Sequence, residues 1–296
     1  MGYIVMYIKI KLNRTILCFC GILIAIICFS VLYSGFTPEA QPVSTQQEGI
    51  QLPIVMYHSI LKDTKLQGQY VIGPDQFESD LKMLKEKGYT TITVTDLVDY
   101  VYNDKELPEK PIMLTFDDGY YNNYLYAYPL LEEYECKAVL SPIGYYSEQY
   151  SQDSNPPSPS YSHCTWSQLK EIQDSGYVEI QNHSYNMHSQ SGRLGVSKKQ
   201  GESNESYNSI LVEDISTAQN LFKDNLNYTP IAFTYPFGAV SDTSEDVIKS
   251  LSFKCSLICE EKINTITKDK ESLYMLGRFL RPTKMTSAEL FEKLES

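Results

Sequence analysis

Two neighbouring carboxylates, Asp117 and Asp118, close the apolar run Pro111 to Phe116 and stand just before Gly119. Asp-Gly after an alternating strand is a hairpin signal, so one reading of this cluster is a turn. Adjacent carboxylates at a strand end also suit hydrolysis at a metal: one binds the ion while its neighbour, kept off it, takes a proton from water. His183 and His188 follow the strand-like run Tyr177 to Gln181. Their i, i+5 spacing does not share one face of a regular helix, so the bare alternative is two unrelated loop histidines. The chain holds only four histidines, however, and these two lie within six residues at a predicted strand end. With Asp118 they would make a two-histidine, one-carboxylate set with open positions for water and substrate.

Two further clusters sit at equivalent places. In Ala232 to Gly238 an apolar strand runs into a Pro and Gly turn. As composition this is only a strand end; as a pocket wall, Tyr235, Pro236 and Phe237 would bind substrate by stacking aromatic rings on a sugar. A backbone N–H near Phe237 would meet a developing oxyanion. His58 ends the run Pro53 to Tyr57. A histidine beside a core strand is commonly structural, but its place on the same rim makes it a candidate proton donor.

The elements that would position these residues alternate along the chain. Strand-like runs fall at Leu52 to Tyr57, Thr90 to Val94, Pro111 to Phe116, Lys137 to Leu140, Tyr177 to Gln181, Ile231 to Thr234, Phe253 to Ile258 and Tyr274 to Leu276. Helices are expected at Asp75 to Lys87, from a cap at Thr95 through Tyr102, and at Asn122 to Tyr134, Thr165 to Asp174, Glu205 to Asn225 and Ser244 to Leu251. In the longest of these, Ile210, Ile215, Ala218, Leu221 and Phe222 form the apolar face, while Ser147 to His163 reads as an exposed loop. Strand followed by helix, repeated this often, indicates an α/β fold with a parallel sheet, here an irregular (β/α) barrel. Function in such folds sits at the carboxyl ends of strands, where all four clusters fall.

The N-terminus differs. Lys9, Lys11 and Arg14 are its only charges, and Ile16 to Tyr33 has none over 18 residues, enough to span a bilayer of roughly 30 Å. Basic residues on its N-terminal side predict a cytoplasmic segment at 1–15, a transmembrane signal-anchor at 16–36, a Gln/Pro/Ser/Thr-rich linker at 37–51 and an extracytoplasmic domain at 52–296. A cleaved signal peptide, leaving a secreted domain, is the competing reading. The net charge of −12 argues against a nucleic-acid partner. Cys136, Cys164, Cys255 and Cys259 are expected as buried thiols rather than metal ligands.

Together these residues resemble the NodB-homology polysaccharide deacetylases, carbohydrate esterase family 4. Thr115-Phe116-Asp117-Asp118-Gly119 matches the first family motif, and His183 to His188 matches the second in the longer-spaced form of the poly-N-acetylglucosamine deacetylase branch. Phe233 to Gly238 resembles the third motif, and the likeness runs from about Leu52 to Arg278. The resemblance implies metal-dependent removal of N-acetyl groups from an N-acetylglucosamine-containing polymer, either peptidoglycan or an exported poly-N-acetylglucosamine. It implies Asp118, His183 and His188 as ligands to a divalent metal, Zn²⁺ foremost, with Asp117 as base and His58 as acid. Two departures stand out. Thr234 replaces the arginine that many members carry in the third motif, and no histidine follows His188 to serve as a late general acid. The branch with longer histidine spacing has a histidine after its first strand, which His58 matches, and Arg278 corresponds to a late family arginine. O-acetyl ester hydrolysis on the same site, or a glycan-binding module that has lost catalysis, are the rival expectations.

Overall fold

The computed structural model describes residues 49–296. The expected cytoplasmic segment, the signal-anchor and most of the linker lie outside the described residues. Among the described residues no helix is long and apolar enough to cross a membrane.

The chain opens with strands β1 (Ile50–Leu52), β2 (Ile54–Tyr57), β3 (Ser59–Ile60) and β4 (Val71–Ile72), followed by helix α1 (Pro74–Glu86). Next come β5 (Thr90–Thr91), α2 (Val94–Asn103), β6 (Pro111–Asp118), α3 (Tyr128–Glu133), β7 (Ala138–Pro142), α4 (Gly144–Gln152), α5 (Trp166–Asp174) and β8 (Val178–Ile180). The remainder holds α6 (Asn204–Leu226), β9 (Ala232–Thr234), α7 (Ser244–Ser250), β10 (Cys255–Leu257), β11 (Asn264–Ile266), β12 (Phe279–Leu280) and α8 (Ser287–Leu294).

Parallel strands in the order β12-β2-β6-β7-β8 form the main sheet. A parallel bridge from Asn182 to Phe233 leads on to the β9–β10 pair, and another joins Leu257 to Leu276, just before the chain enters β12. The circuit therefore comes back to its starting strand through single bridges, which is an irregular parallel α/β barrel. Pairing sets side-chain direction, because successive residues of a strand face opposite ways. Ile112, Leu114 and Phe116 of β6 pack outward with Phe77 and Leu81 of α1 and Ile172 of α5. Met113 faces inward with Ile54, Val139 and Leu257. Thr115 and Asp117 continue that inward face, so the alternation that builds the core also aims Asp117 into the barrel mouth.

Several boundaries differ from expectation. β6 runs on through Asp118, and Gly119 leads into a helical turn, so the Asp-Gly step is no hairpin. The helix expected at Asn122 to Tyr134 is a π turn at Asn123–Ala127 followed by α3, with Pro129 at the start of the regular part. Thr93, not Thr95, caps α2, because its side chain and that of Asp96 bond reciprocally to backbone N–H groups. The expected loop after Ser147 begins as α4. On α6, Leu211 is buried where Ile210 is exposed. The last linker residues form β1, which pairs antiparallel with β11, an element with no periodic pattern of its own. The expected strand at Tyr274 to Leu276 is reduced to the one bridge at Leu276. Cys136, Cys164, Cys255 and Cys259 are unpaired thiols, the first three buried.

Candidate metal centre

Asp118 is the last residue of β6, with φ of 68°, and Gly119 follows with φ of 75°. Two consecutive left-handed residues turn the chain sharply off the barrel rim. Glycine is required at 119 twice over: L side chains rarely adopt that φ, and a Cβ there would stand 2.5 Å from the Cβ of Pro142. The carbonyl of Asp118 receives a hydrogen bond from Nδ1 of buried His163 at 2.9 Å, which steadies the turn.

His183 and His188 reach the same point from the loop after β8. Asn182 Oδ1 accepts from Ser184 N–H, and Ser184 Oγ accepts from Met187 N–H, so the loop folds back on itself. Asp214, on α6, accepts from the N–H groups of Tyr185 and Asn186 at 2.8 and 2.9 Å. This pinning turns an i, i+5 spacing into a convergent pair. Nε2 of His188 stands 3.1 Å from Asp118 Oδ1 and Nε2 of His183 3.5 Å from it. One ligand atom from each of the three residues lies within 4.8 Å of the others.

Three observations fit this trio to a cation. Asp118 Oδ1 is buried yet makes no hydrogen bond, an arrangement that costs free energy unless something positive faces it. Nδ1 of His183 lies 2.7 Å from the carbonyl of Thr234, which makes that nitrogen the protonated one and leaves the Nε2 lone pair facing Asp118. His188, with its ring 4.2 Å from that of Phe237, is pushed down to a pKa of about 4 by burial and by the nearby charge of His183. It is therefore neutral at physiological pH and able to donate. Burial alone would push His183 down and Asp118 up; their mutual attraction reverses both, so His183 is raised and Asp118 is held well below the usual carboxylate range. A positive charge in that gap, proton or metal, is what keeps the carboxylate ionised.

Asp117 is treated differently. Burial would raise its pKa, but the Arg278 guanidinium beside it more than offsets that and lowers it. Nη1 and Nη2 of Arg278 donate to Oδ1 and Oδ2 at 2.7 and 2.9 Å, a bidentate clamp between buried groups. Nε of Arg278 donates to the carbonyl of Ile258 and Nη1 to Oγ1 of Thr115, fixing the fork. The residues expected to do chemistry do not include Arg278, because a lone arginine before an apolar pair carries no local signal. The structure gives it the orienting contact that Thr234 cannot make: the Thr234 hydroxyl bonds to Ser141 instead.

His58 places Nε2 3.9 Å from Asp117 Oδ2, beyond hydrogen-bond length, with its ring against Tyr70. Burial lowers its pKa despite the nearby aspartates, so it rests as the neutral imidazole. The third cluster divides. Phe237 lines the cavity in the left-handed conformation (φ 58°), but Tyr235 does not stack at its surface. Tyr235 is fully buried, packs edge-on against Phe233 and donates its hydroxyl to Glu245 Oε2. Pro236 is likewise buried and does not line the cavity. Tyr235 continues the face of Phe233 into the core, whereas Pro236 and Phe237 lie past β9 in a 3-10 turn whose left-handed Phe237 brings its ring to the mouth. The resulting cavity, about 640 Å³, holds His58, Asp117, Asp118, His183, His188 and Phe237 in its wall.

A parallel α/β barrel bearing two imidazoles and a carboxylate at one point of its rim, beside a second, arginine-clamped carboxylate, is the class that fold and site define. The chain belongs to the polysaccharide deacetylase family, whose family model matches residues 104–256. YxkH of Bacillus subtilis (strain 168) is 27% identical over 210 residues, covering 71% of this chain and 65% of its own length. The poly-beta-1,6-N-acetyl-D-glucosamine N-deacetylase of Escherichia coli (strain K12) is 22% identical over 264 residues, covering 81% of this chain and 39% of its own. The chain thus spans less than two thirds of either curated relative. Among solved structures, a de-N-acetylase from Aggregatibacter actinomycetemcomitans superposes with a TM-score of 0.71 at 27% identity, over 82% of this chain and 100% of that one.

Proposed function

We propose that this chain hydrolyses N-acetyl groups from an N-acetylglucosamine-containing polysaccharide at the cell surface, releasing acetate. The observation that carries the reading is the meeting of Asp118, His183 and His188 around one point beside an Asp117 that Arg278 holds ionised. Asp118, His183 and His188 would hold a divalent ion, and their nitrogen and oxygen donors favour Zn²⁺. When bound, such an ion supplies Lewis acidity, bringing the pKa of a water toward roughly 7.

The chain's own groups carry the protons. Asp117, kept off the ligand set by its bidentate clamp, takes the proton of the attacking water as that water adds to the acetamide carbonyl. A backbone N–H at Phe237 meets the oxyanion. His58 starts neutral, so the proton taken by Asp117 passes to its Nε2 and from there to the departing sugar nitrogen. The lowered basicity of His58 makes its protonated form a willing donor at that step. Acetate and a glucosamine unit result. Arg278 supports this reading over that of a module without catalysis, because it makes with Asp117 the contact that the missing third-motif arginine would make.

Residues 1–15, 16–36 and 37–51 are proposed as cytoplasmic segment, signal-anchor and linker, tethering the domain outside the membrane. The test is acetate release by the full chain from peptidoglycan and from poly-N-acetylglucosamine, after chelation and after adding Zn²⁺ back. Release that survives complete chelation, or that occurs only from O-acetylated xylan, overturns the reading.

A further inference from the structure

His58 stands between β2 and β3, and two adjacent asparagines hold this corner. Asn122 Nδ2 donates to Ser59 Oγ at 2.7 Å and to the Pro159 carbonyl at 2.8 Å, while its Oδ1 accepts from the Ile60 N–H. Asn123 Nδ2 donates to the carbonyl of His58 itself at 2.8 Å. Both asparagines are buried, where a polar side chain is costly unless it bonds. They come from the turn that leaves β6: the left-handed pair Asp118 and Gly119 turns the chain, and Asn123 opens the π turn. Such turns are rare and frequent at functional sites.

Asn122 bonds through both ends of its amide, whereas Asn123 bonds through one. Asn123 Oδ1 is buried without a hydrogen-bond partner, and so is Nδ1 of His58. Across the ring, Nε2 of His58 is the nitrogen that faces Asp117. A neutral imidazole carries one N–H and one lone pair. For Nε2 to take a proton from Asp117, Nδ1 must hold the N–H, and a buried N–H needs an acceptor. Four buried side-chain oxygens lack a partner among the described residues, and of these only Asn123 Oδ1 belongs to a residue already bonded to His58.

We infer that Asn123 is the positioning residue of the proton donor: Nδ2 fixes the His58 backbone, and Oδ1, directly or through one water, takes the Nδ1–H. This role rests on the deacetylase reading, in which His58 is the acid. So held, Nε2 receives the proton of the attacking water by way of Asp117 and keeps its aim on the substrate nitrogen. The C–N bond then breaks with its electron pair on nitrogen, the nitrogen takes the proton from Nε2, and acetate is left. Asn123 does not line the cavity, whereas His58 does. Its loss therefore misplaces the imidazole without removing it.

The experiment compares the full chain with its Asn123→Ala, His58→Gln and doubly substituted variants on the hexamer of β-linked N-acetylglucosamine and on para-nitrophenyl acetate. The amide nitrogen must be protonated to leave, whereas nitrophenolate leaves without a proton. Asn123→Ala is expected to lower the ratio of amide to aryl-ester kcat roughly 10²-fold. It should change that ratio no further once His58 is replaced. An unchanged ratio overturns the inference, because a purely structural role lowers both activities together; so does a further loss in the His58→Gln background. The ¹⁵N shifts of the His58 ring in the parent give a reading that needs no folded variant. Nδ1 protonated with Nε2 bare supports the role; every other protonation pattern overturns it. If the parent releases no acetate from the hexamer, the deacetylase reading has failed, and those same shifts decide whether Asn123 holds the ring.

Discussion

Asp117 and Asp118 are adjacent in sequence and both buried, yet their surroundings prepare them for different work. Both oxygens of Asp117 are taken by Arg278, whereas Asp118 Oδ1 is left facing two imidazole nitrogens. Environments that separate two like groups in this way commonly mark separate roles. Asp117→Asn should cut acetate release by roughly 10²–10⁴-fold while Zn²⁺ content, read by mass spectrometry, stays near one per chain. Loss of the metal in that variant would exchange the two assignments. Arg278→Met leaves a buried carboxylate without its partner, which costs about 3–5 kcal/mol. Arg278 lowers the folded-state pKa of Asp117, so its contribution is present above the ordinary carboxyl value of 3.8 and fades as pH falls through the depressed one. The stability gap between parent and variant, from urea midpoints, should therefore be wide near neutrality and narrow on acidification. A gap independent of pH would mean that the clamp does not act through charge.

At the scale of elements, the site depends on how loops are tied to rigid neighbours. The 183–188 loop has no regular structure, but α6 holds two of its N–H groups through one carboxylate, Asp214. Asp214→Ala should lower Zn²⁺ affinity about 10–100-fold, the usual range for a group supporting metal ligands, with far-UV dichroism unchanged. Affinity equal to the parent in chelator competition would show that the loop is held by other contacts. Gly119→Ala attacks the opposite tie. It places a Cβ against Pro142 on β7 and strains a left-handed residue, so both the Asp118 turn and the strand end must move. Among the expected site residues, Tyr235 shows the reverse case, where an element's alternation carries a promising aromatic into the core.

For the whole molecule, the barrel joins parts of the chain that are far apart: β6 gives both aspartates, the segment after β8 the histidines, and the end of the chain Arg278. A cation held by Asp118 of β6 and by the two histidines after β8 ties these two parts together in the native state only. Zn²⁺ at a thousandfold excess over its Kd should stabilise the fold by about 4 kcal/mol, raising Tm by roughly 10 °C, and chelator should reverse it. A Tm insensitive to both would argue against a native cation site.

Read as a string of residues, the chain already declares its alternating strands and helices, because a period of two or of 3.6 is imposed locally by which face is buried. The chemistry-bearing clusters are legible for the same reason: each is a short run at a predicted strand end. Elements held mainly by distant partners are not legible. Ile50–Leu52 and Asn264–Ile266 become strands only by pairing with each other across the chain. The Arg278 clamp on Asp117 and the direction of Tyr235 belong to the same group. Contacts between residues more than a hundred positions apart, and the choice of which strand-end residue faces the mouth, follow from barrel closure. Only tertiary packing decides that, since no local preference distinguishes one inward face from the other.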